Sequence, residues 1–440
     1  MTAVVGILNK KGVALAADSA VTRTRGMNNK VTKNGNKMVR LSNVLPISVM
    51  FTGNGDFMHT QWDIIARHYR QHRGDIKHET VEACMHDFFR YIADHGLFRD
   101  PESVLKHTKN QLVYLFNNID NRLDHKYTKR DNYGKLSSPR SYQKAFVSLL
   151  NRLCKDWLTE GVCPQFQDYT QQNFKDYTKN IFDEFIAMNS YVEGSLFFYS
   201  HYPQLLLTSL REPLERALMV RLTTRRYDDD DMAVLVFSGY GDKQAYPSLV
   251  SAVVCEGFDS RVNYHVRPQD VICISNERPV AICPFAQKDV IRSILRGMHR
   301  DFGKIISDTI KSSFDSMSNE IFDPFDDEEI NFADFDSKLG EVKTDDLSRN
   351  VFRQTNRFLD HNQRQWEKAL ENYDLQSMAA LAESLIDLTG FHRILTFQQE
   401  GVGGPVDVAV ISKTDGFTWL NRKSWYHHKD VGGRYGKLGV

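Results

Sequence analysis

The sequence predicts a layered, mixed α+β fold in which sheets are enclosed by helices. Three observations predict it. Short apolar runs of strand character come in groups, early, midway and late in the chain. Between the first two groups, residues 95–226 carry almost no strand pattern. The strands do not alternate one by one with helices, as a doubly wound parallel sheet requires.

The first elements read as a hairpin. Residues 3–8 (AVVGIL) form one apolar run, Asn9-Lys10-Lys11-Gly12 supplies a turn, and residues 13–17 (VALAA) form a second run ending at Asp18. Residues 47–51 (ISVMF) are a third strand, followed by the turn Thr52-Gly53-Asn54-Gly55-Asp56. These runs lack polar alternation, so both faces of each strand are expected to be covered. Thr80 can cap a helix that sets Val81, Cys84, Met85, Phe88, Phe89 and Ile92 on one face. That stripe reads as core packing.

Further helices are expected at 142–158, 171–187 and 203–222, and the charge run 228–231 closes the helical block. Strand patterns return at 233–237, 249–254 and 262–266, and residues 286–310 read as helical. Residues 315–346 are acidic and read as a solvated loop or interaction segment. A calcium loop is the weaker alternative, because the D-x-D-x-D-G spacing is absent. Residues 376–388 form an amphipathic helix with Met378, Leu381, Leu385 and Leu388 inward, and Gly390 is placed to cap its end. Residues 406–411 are a strand, Asp415-Gly416 a turn and 417–420 the last strand.

Composition excludes several classes. Of 440 residues, Lys+Arg and Asp+Glu both number 56, so there is no excess of positive charge to coat a polyanion, and no nucleic-acid partner is expected. No apolar run approaches the roughly 18 residues that a membrane span needs, so no membrane association is expected. The N-terminus lacks a basic region followed by a long apolar one, so a cytoplasmic protein is expected. Six cysteines form no C-x-x-C pair and no Cys/His cluster with zinc spacing, so they read as buried or free thiols, and neither metal nor cofactor is expected.

Common motifs are absent: there is no G-x-x-x-x-G-K-[ST], no H-E-x-x-H and no G-x-S-x-G. Gly401-Val402-Gly403-Gly404 precedes a strand and reads as a tight turn.

The informative residue is Thr2. Removal of Met1 is favoured by a small second residue, and the chain would then begin with a threonine bearing a free α-amine. Such an amine has a pKa of about 7.7–8.0 and can act as general base toward its own residue's hydroxyl. One residue thus supplies both nucleophile and base. Thr2 opens directly into a strand, and Asp18 ends the paired strand that returns toward it. Lys37 lies in Lys33-Asn34-Gly35-Asn36-Lys37, where its charge would lower the pKa values of the hydroxyl and amine. Gly53 follows a strand and could aim a backbone N–H at a developing oxyanion. The bland reading makes Thr2 an ordinary start, Asp18 a turn residue and Lys37 a surface charge.

These segments, Thr2-Ala3-Val4-Val5-Gly6-Ile7, Ala16-Ala17-Asp18-Ser19, Lys33 to Lys37, and Gly53 with Gly55-Asp56, resemble the opening of proteasome β subunits and of bacterial proteasome-like threonine peptidases. The resemblance implies the four-layer αββα sandwich of the N-terminal nucleophile hydrolases, here with a large helical insertion. It implies Thr2 as nucleophile, Asp18 and Lys37 as charge partners and Gly53 as oxyanion donor. Residues 1–96, 229–314 and 375–425 are family-like, with 97–228 a helical insertion, 315–374 an acidic insertion and 426–440 a tail. Two segments depart from the family pattern: Cys283-Pro284-Phe285-Ala286-Gln287 stands where a Ser-Gly pair is usual, and Gln398-Gln399-Glu400-Gly401-Val402 where an Asp and a Ser are usual.

The function expected is a threonine-type peptidase acting on peptide or unfolded protein. The family's habit of closed chambers implies a homo-oligomer, with a regulatory partner possible. Two alternatives stay open: a non-catalytic assembly or binding protein on the same fold, and a small-molecule amidase with the same nucleophile.

Overall fold

A computed structural model describes residues 3–25, 28–32, 35–98, 100–128, 139–187, 203–225, 232–286, 288–299, 344–396 and 404–423, together with 302, 304–306, 308–310 and 312–313. Thr2 and the stretches 228–231, 315–343 and 398–402 lie outside them. The strands run β1 (Val4–Asn9), β2 (Gly12–Ala17), β3 (Val21–Arg25), β4 (Asn28–Thr32), β5 (Met38–Arg40), β6 (Ile47–Gly53), β7 (Asp56–Phe57) and β8 (Thr60–Gln61). They continue as β9 (Ala233–Gly239), β10 (Ser248–Phe258), β11 (Arg261–His265), β12 (Val271–Cys273), β13 (Val280–Ala286), β14 (Asp407–Ser412) and β15 (Gly416–Asn421). The helices are α1 (Trp62–Arg73), α2 (Val81–Asp94), α3 (Pro101–Thr128), α4 (Pro139–Thr159) and α5 (Gln171–Ala187). After them come α6 (Pro203–Thr223), α7 (Lys288–Arg296), α8 (Thr344–Leu370) and α9 (Leu375–Leu395). The architecture is mixed α+β with antiparallel sheets, and the chain divides into two units, residues 1–35 with 274–440, and residues 36–273.

The first unit holds a five-stranded sheet of order β13-β1-β2-β14-β15. Its pairings are all antiparallel. The β1–β2 turn is built by Asn9, whose Oδ1 accepts the N–H groups of Lys11 (2.9 Å) and Gly12 (3.3 Å) while its Nδ2 donates to Leu370 O and Tyr373 O. Gly12 is needed for close approach, since a Cβ there would lie 2.3 Å from Ile411 O. Every residue of β1 and β2 is buried, as their unbroken apolar runs predict. Helix α9 packs on β1 and β2 through Met378, Ala379, Ala382, Leu385 and Ile386 against Ala3, Val5, Ile7, Ala14 and Ala16. The alanines on both sides keep that interface thin. Asp374 caps α9, its carboxylate accepting Ser377 N–H at 2.7 Å, and Arg393 Nη2 donates to both carboxylate oxygens of Asp289 (3.0 and 2.8 Å), tying α9 to α7.

The second unit holds a sheet of order β11-β10-β9-β6-β5, with β12 also pairing β10. Helix α2 begins where Thr80 Oγ1 accepts Ala83 N–H at 3.0 Å, and its stripe from Val81 to Ile92 is buried as expected. Phe88 and Phe89 meet Phe237 of β9, with ring centroids 5.5 and 5.9 Å apart. The helical block forms as α3 to α6. Aromatic contacts help tie it to the sheet: Phe258 at the end of β10 stacks on Phe166 (4.9 Å) and meets Tyr169 (5.2 Å) and Phe174 (5.6 Å) edge-on.

Four readings need correction. The helix expected over 286–310 starts at Lys288 and ends at Arg296, and residues 280–286, where no element was expected before 286, are a strand. Pro284 weakens the strand pattern, yet β13 is an edge of its sheet, where a missing N–H is tolerated. The reading of 315–346 as a loop fails at its end, since α8 begins at Thr344. In α9, Leu388 is exposed and Gly390 lies buried within a helix that runs to Leu395, so Gly390 is not a cap. The buried set instead continues through Ile386, Thr389 and Arg393, rotating the inward face away from Leu388.

Candidate active site

In the first unit, the β1–β2 ladder pairs Val4 with Ala17. One residue further along, Asp18 N–H donates to Ala3 O at 3.1 Å, and Asp18 Oδ1 accepts Ala3 N–H at 2.9 Å. Asp18 is 1% exposed and Ala3 fully buried. The carboxylate is therefore fixed by the backbone one residue from Thr2. Its strand neighbour Ala17 pairs with Asp407 of β14. Lys423, just past β15, donates from Nζ to Asp407 Oδ2 (2.6 Å), Gly35 O (2.6 Å) and Ser19 Oγ (3.0 Å). Sequence reasoning missed Ser19, Asp407 and Lys423. Nothing in the pattern around Lys423 marks it, because its burial is set by tertiary folding of the final strand.

In the second unit, Lys37 is 5% exposed and leads into β5. Its C=O accepts Phe51 N–H at 2.9 Å. On the other edge of β6, Asn54 N–H donates to Met232 O at 2.8 Å. The alternation of an antiparallel ladder then turns the Gly53 N–H to the β5 side, two residues beyond the Phe51–Lys37 bond. Gly53 and Lys37 thus share one margin of this sheet. Gly53 has φ of 83°, and a Cβ there would lie 2.3 Å from Met232 O. Gly53→Ala should cost about 1–3 kcal/mol of stability, read as a lowered denaturant midpoint at unchanged slope.

The loop after Gly53 is tied down within the same unit. Trp62 Nε1 donates to Asn54 O at 3.0 Å. The β7–β8 turn carries Met58 and His59 at positive φ (45° and 66°), and Glu256 accepts Met58 N–H at 3.3 Å while pairing with His107. Burial of Glu256 raises its pKa, but the His107 hydrogen bond and charge, with the Met58 N–H, carry it below its ordinary value.

A second titratable cluster joins α1 and α2. His68 stacks on His72 (centroids 4.2 Å), meets His95 edge-on (4.8 Å) and shares a hydrogen bond with Tyr91 OH. Burial first, then the charges of His72 and His95, lower the His68 pKa; burial also lowers that of His78. A histidine held neutral in the folded state costs nothing above its unfolded pKa of about 6.5. As pH falls through that value the unfolded chain takes up more protons, so stability is lost. Unfolding by denaturant at about pH 7.5 and about pH 5.5 should show lower stability in acid, with a smaller loss in His68→Gln.

Among the described residues, no group of three or more His, Cys, Asp or Glu side chains could hold a metal ion, and no helix is long and apolar enough to cross a membrane. All six cysteines are free thiols, five of them buried. Burial pushes the thiols of Cys84 and Cys283 up to about 12. Compared with models of protein families and with curated protein sequences, the chain matches none.

Proposed function

We propose that the chain is a threonine-type amide hydrolase, a proteasome-like peptidase built on the αββα sandwich of the N-terminal nucleophile hydrolases with a large helical insertion. The observation that carries the reading is the buried Asp18 carboxylate, held by Ala3 N–H at 2.9 Å and so one residue from Thr2. A buried carboxylate fixed by backbone at that point suits a site that must hold a polar group in place.

After removal of Met1, the Thr2 Oγ1 attacks the substrate carbonyl as the α-amine takes the hydroxyl proton. That proton passes to the departing amine, leaving an ester on Thr2. Water, activated by the same amine, hydrolyses the ester and restores the hydroxyl. Asp18 acts as a charge partner of this step. The proposed substrate is a peptide or unfolded protein, and the proposed assembly is a homo-oligomer.

Intact mass of the purified chain, followed by incubation with a peptide vinyl sulfone, tests the reading. Loss of Met1 and addition of one probe mass at Thr2 support it. Retained Met1, which blocks the α-amine, selects the non-catalytic binding protein instead.

A further inference from the structure

A lysine ammonium has three protons to place, and those of Lys423 meet three acceptors: Asp407 Oδ2 at 2.6 Å, Gly35 O at 2.6 Å and Ser19 Oγ at 3.0 Å. The other oxygen of Asp407 accepts the Lys423 backbone N–H at 3.0 Å. Ser19 Oγ donates its own hydrogen bond to Pro405 O at 2.7 Å, and Gly35 N–H donates to Ser19 O at 2.9 Å. The side chains of Lys423 and Asp407 are each 5% exposed. Burying an ion pair this far costs desolvation that apolar packing would avoid, so its presence calls for a reason beyond stability.

The reason lies in what the pair joins. Lys423 grips Ser19 and Gly35, the two ends of the segment that carries the β3–β4 hairpin, and draws both onto Asp407 at the start of β14. Asp18 is bracketed by this arrangement. Its neighbour on one side, Ala17, is laddered to Asp407, and its neighbour on the other, Ser19, is bonded to Lys423. We infer that Lys423 is a positioning residue that acts through Ser19 and Asp407 to hold Asp18 against Ala3, and with it the residue that precedes Ala3.

The catalytic consequence rests on the threonine-hydrolase reading, but the positioning itself does not. Two variants and three measurements separate them. Lys423→Met removes the grip and strands the Asp407 charge. Asp407→Leu with Lys423→Met removes the grip without leaving a buried charge. The measurements are melting temperature, hydrogen exchange of the Asp18 amide, and the rate at which a peptide vinyl sulfone labels Thr2.

Lys423→Met should lower the melting temperature, speed Asp18 amide exchange about tenfold relative to the amides at the centre of β2, and slow labelling by about tenfold or more. The double variant should recover melting temperature while Asp18 exchange stays fast and labelling stays slow. If exchange and labelling recover together with melting temperature, Lys423 only balances a buried charge and the inference is overturned. Should Lys423→Met fail to fold, the double variant decides alone. Absence of labelling in the unmodified chain ends the hydrolase reading, and Asp18 exchange then judges the positioning by itself: wild-type protection in both variants overturns it.

Discussion

Alanine in place of Thr2 should leave a folded chain with no measurable amide hydrolysis. The reaction proposed has a single atom, Thr2 Oγ1, forming the bond to the substrate carbonyl, and removing such a nucleophile costs about 10³-fold or more in turnover. Nearby alternatives are poor substitutes. Ser19 Oγ already donates to Pro405 O and accepts from Lys423. Cys283 lies opposite Gly6 in the β1–β13 ladder, but its thiol pKa is pushed up to about 12 by burial, so almost no thiolate exists at neutral pH. Thr2→Ser keeps a hydroxyl beside the same amine and should retain measurable activity. Turnover of a fluorogenic peptide, with melting temperature as the control for folding, checks both variants. Wild-type turnover in Thr2→Ala would remove Thr2 from the chemistry and with it the whole functional reading.

Much of the fold was legible because its signals are local. The apolar runs of β1, β2 and β6 have no polar alternation, and the structure buries them throughout apart from Gly53 at the end of β6. Thr80 announced α2 through a cap whose hydrogen bond spans three residues. Other elements depend on partners remote in sequence. β13 contains Pro284 and reads as a strand only once β1 is beside it, with a register shift between Val4 and Val5 taking up the irregularity. The long helix α8 carries scattered aromatic and basic residues, including exposed Phe352, Phe358 and Trp366, that blur its apolar stripe. The same division applies to the candidate site. Asp18 was readable from the hairpin that brings it back beside Ala3, and the 2.9 Å bond to Ala3 N–H agrees with that geometry. Lys423 was not, because its three acceptors lie on Ser19, Gly35 and Asp407, two of them nearly the full chain away.

Asp18→Asn should separate the two things this carboxylate does. The amide carbonyl can still accept Ala3 N–H, so the strand end keeps its bond and the variant should melt within a few degrees of wild type. The carboxylate is replaced by a neutral amide, however. Labelling of Thr2 and peptide turnover should fall by about 10²-fold or more, as for other sites where a buried orienting carboxylate is made neutral. Asp18→Leu provides the contrast. It leaves the buried Ala3 N–H without an acceptor, a loss of about 1–3 kcal/mol, and should lower the denaturant midpoint as well as the activity. If Asn and Leu reduce stability equally, the hydrogen bond was not what held the strand end. If Asn leaves turnover untouched, the charge of Asp18 has no part in catalysis, and the carboxylate is only an acceptor that a neutral side chain can replace. A fall in activity with stability preserved is the pattern that requires a charged group fixed beside the N-terminal residue.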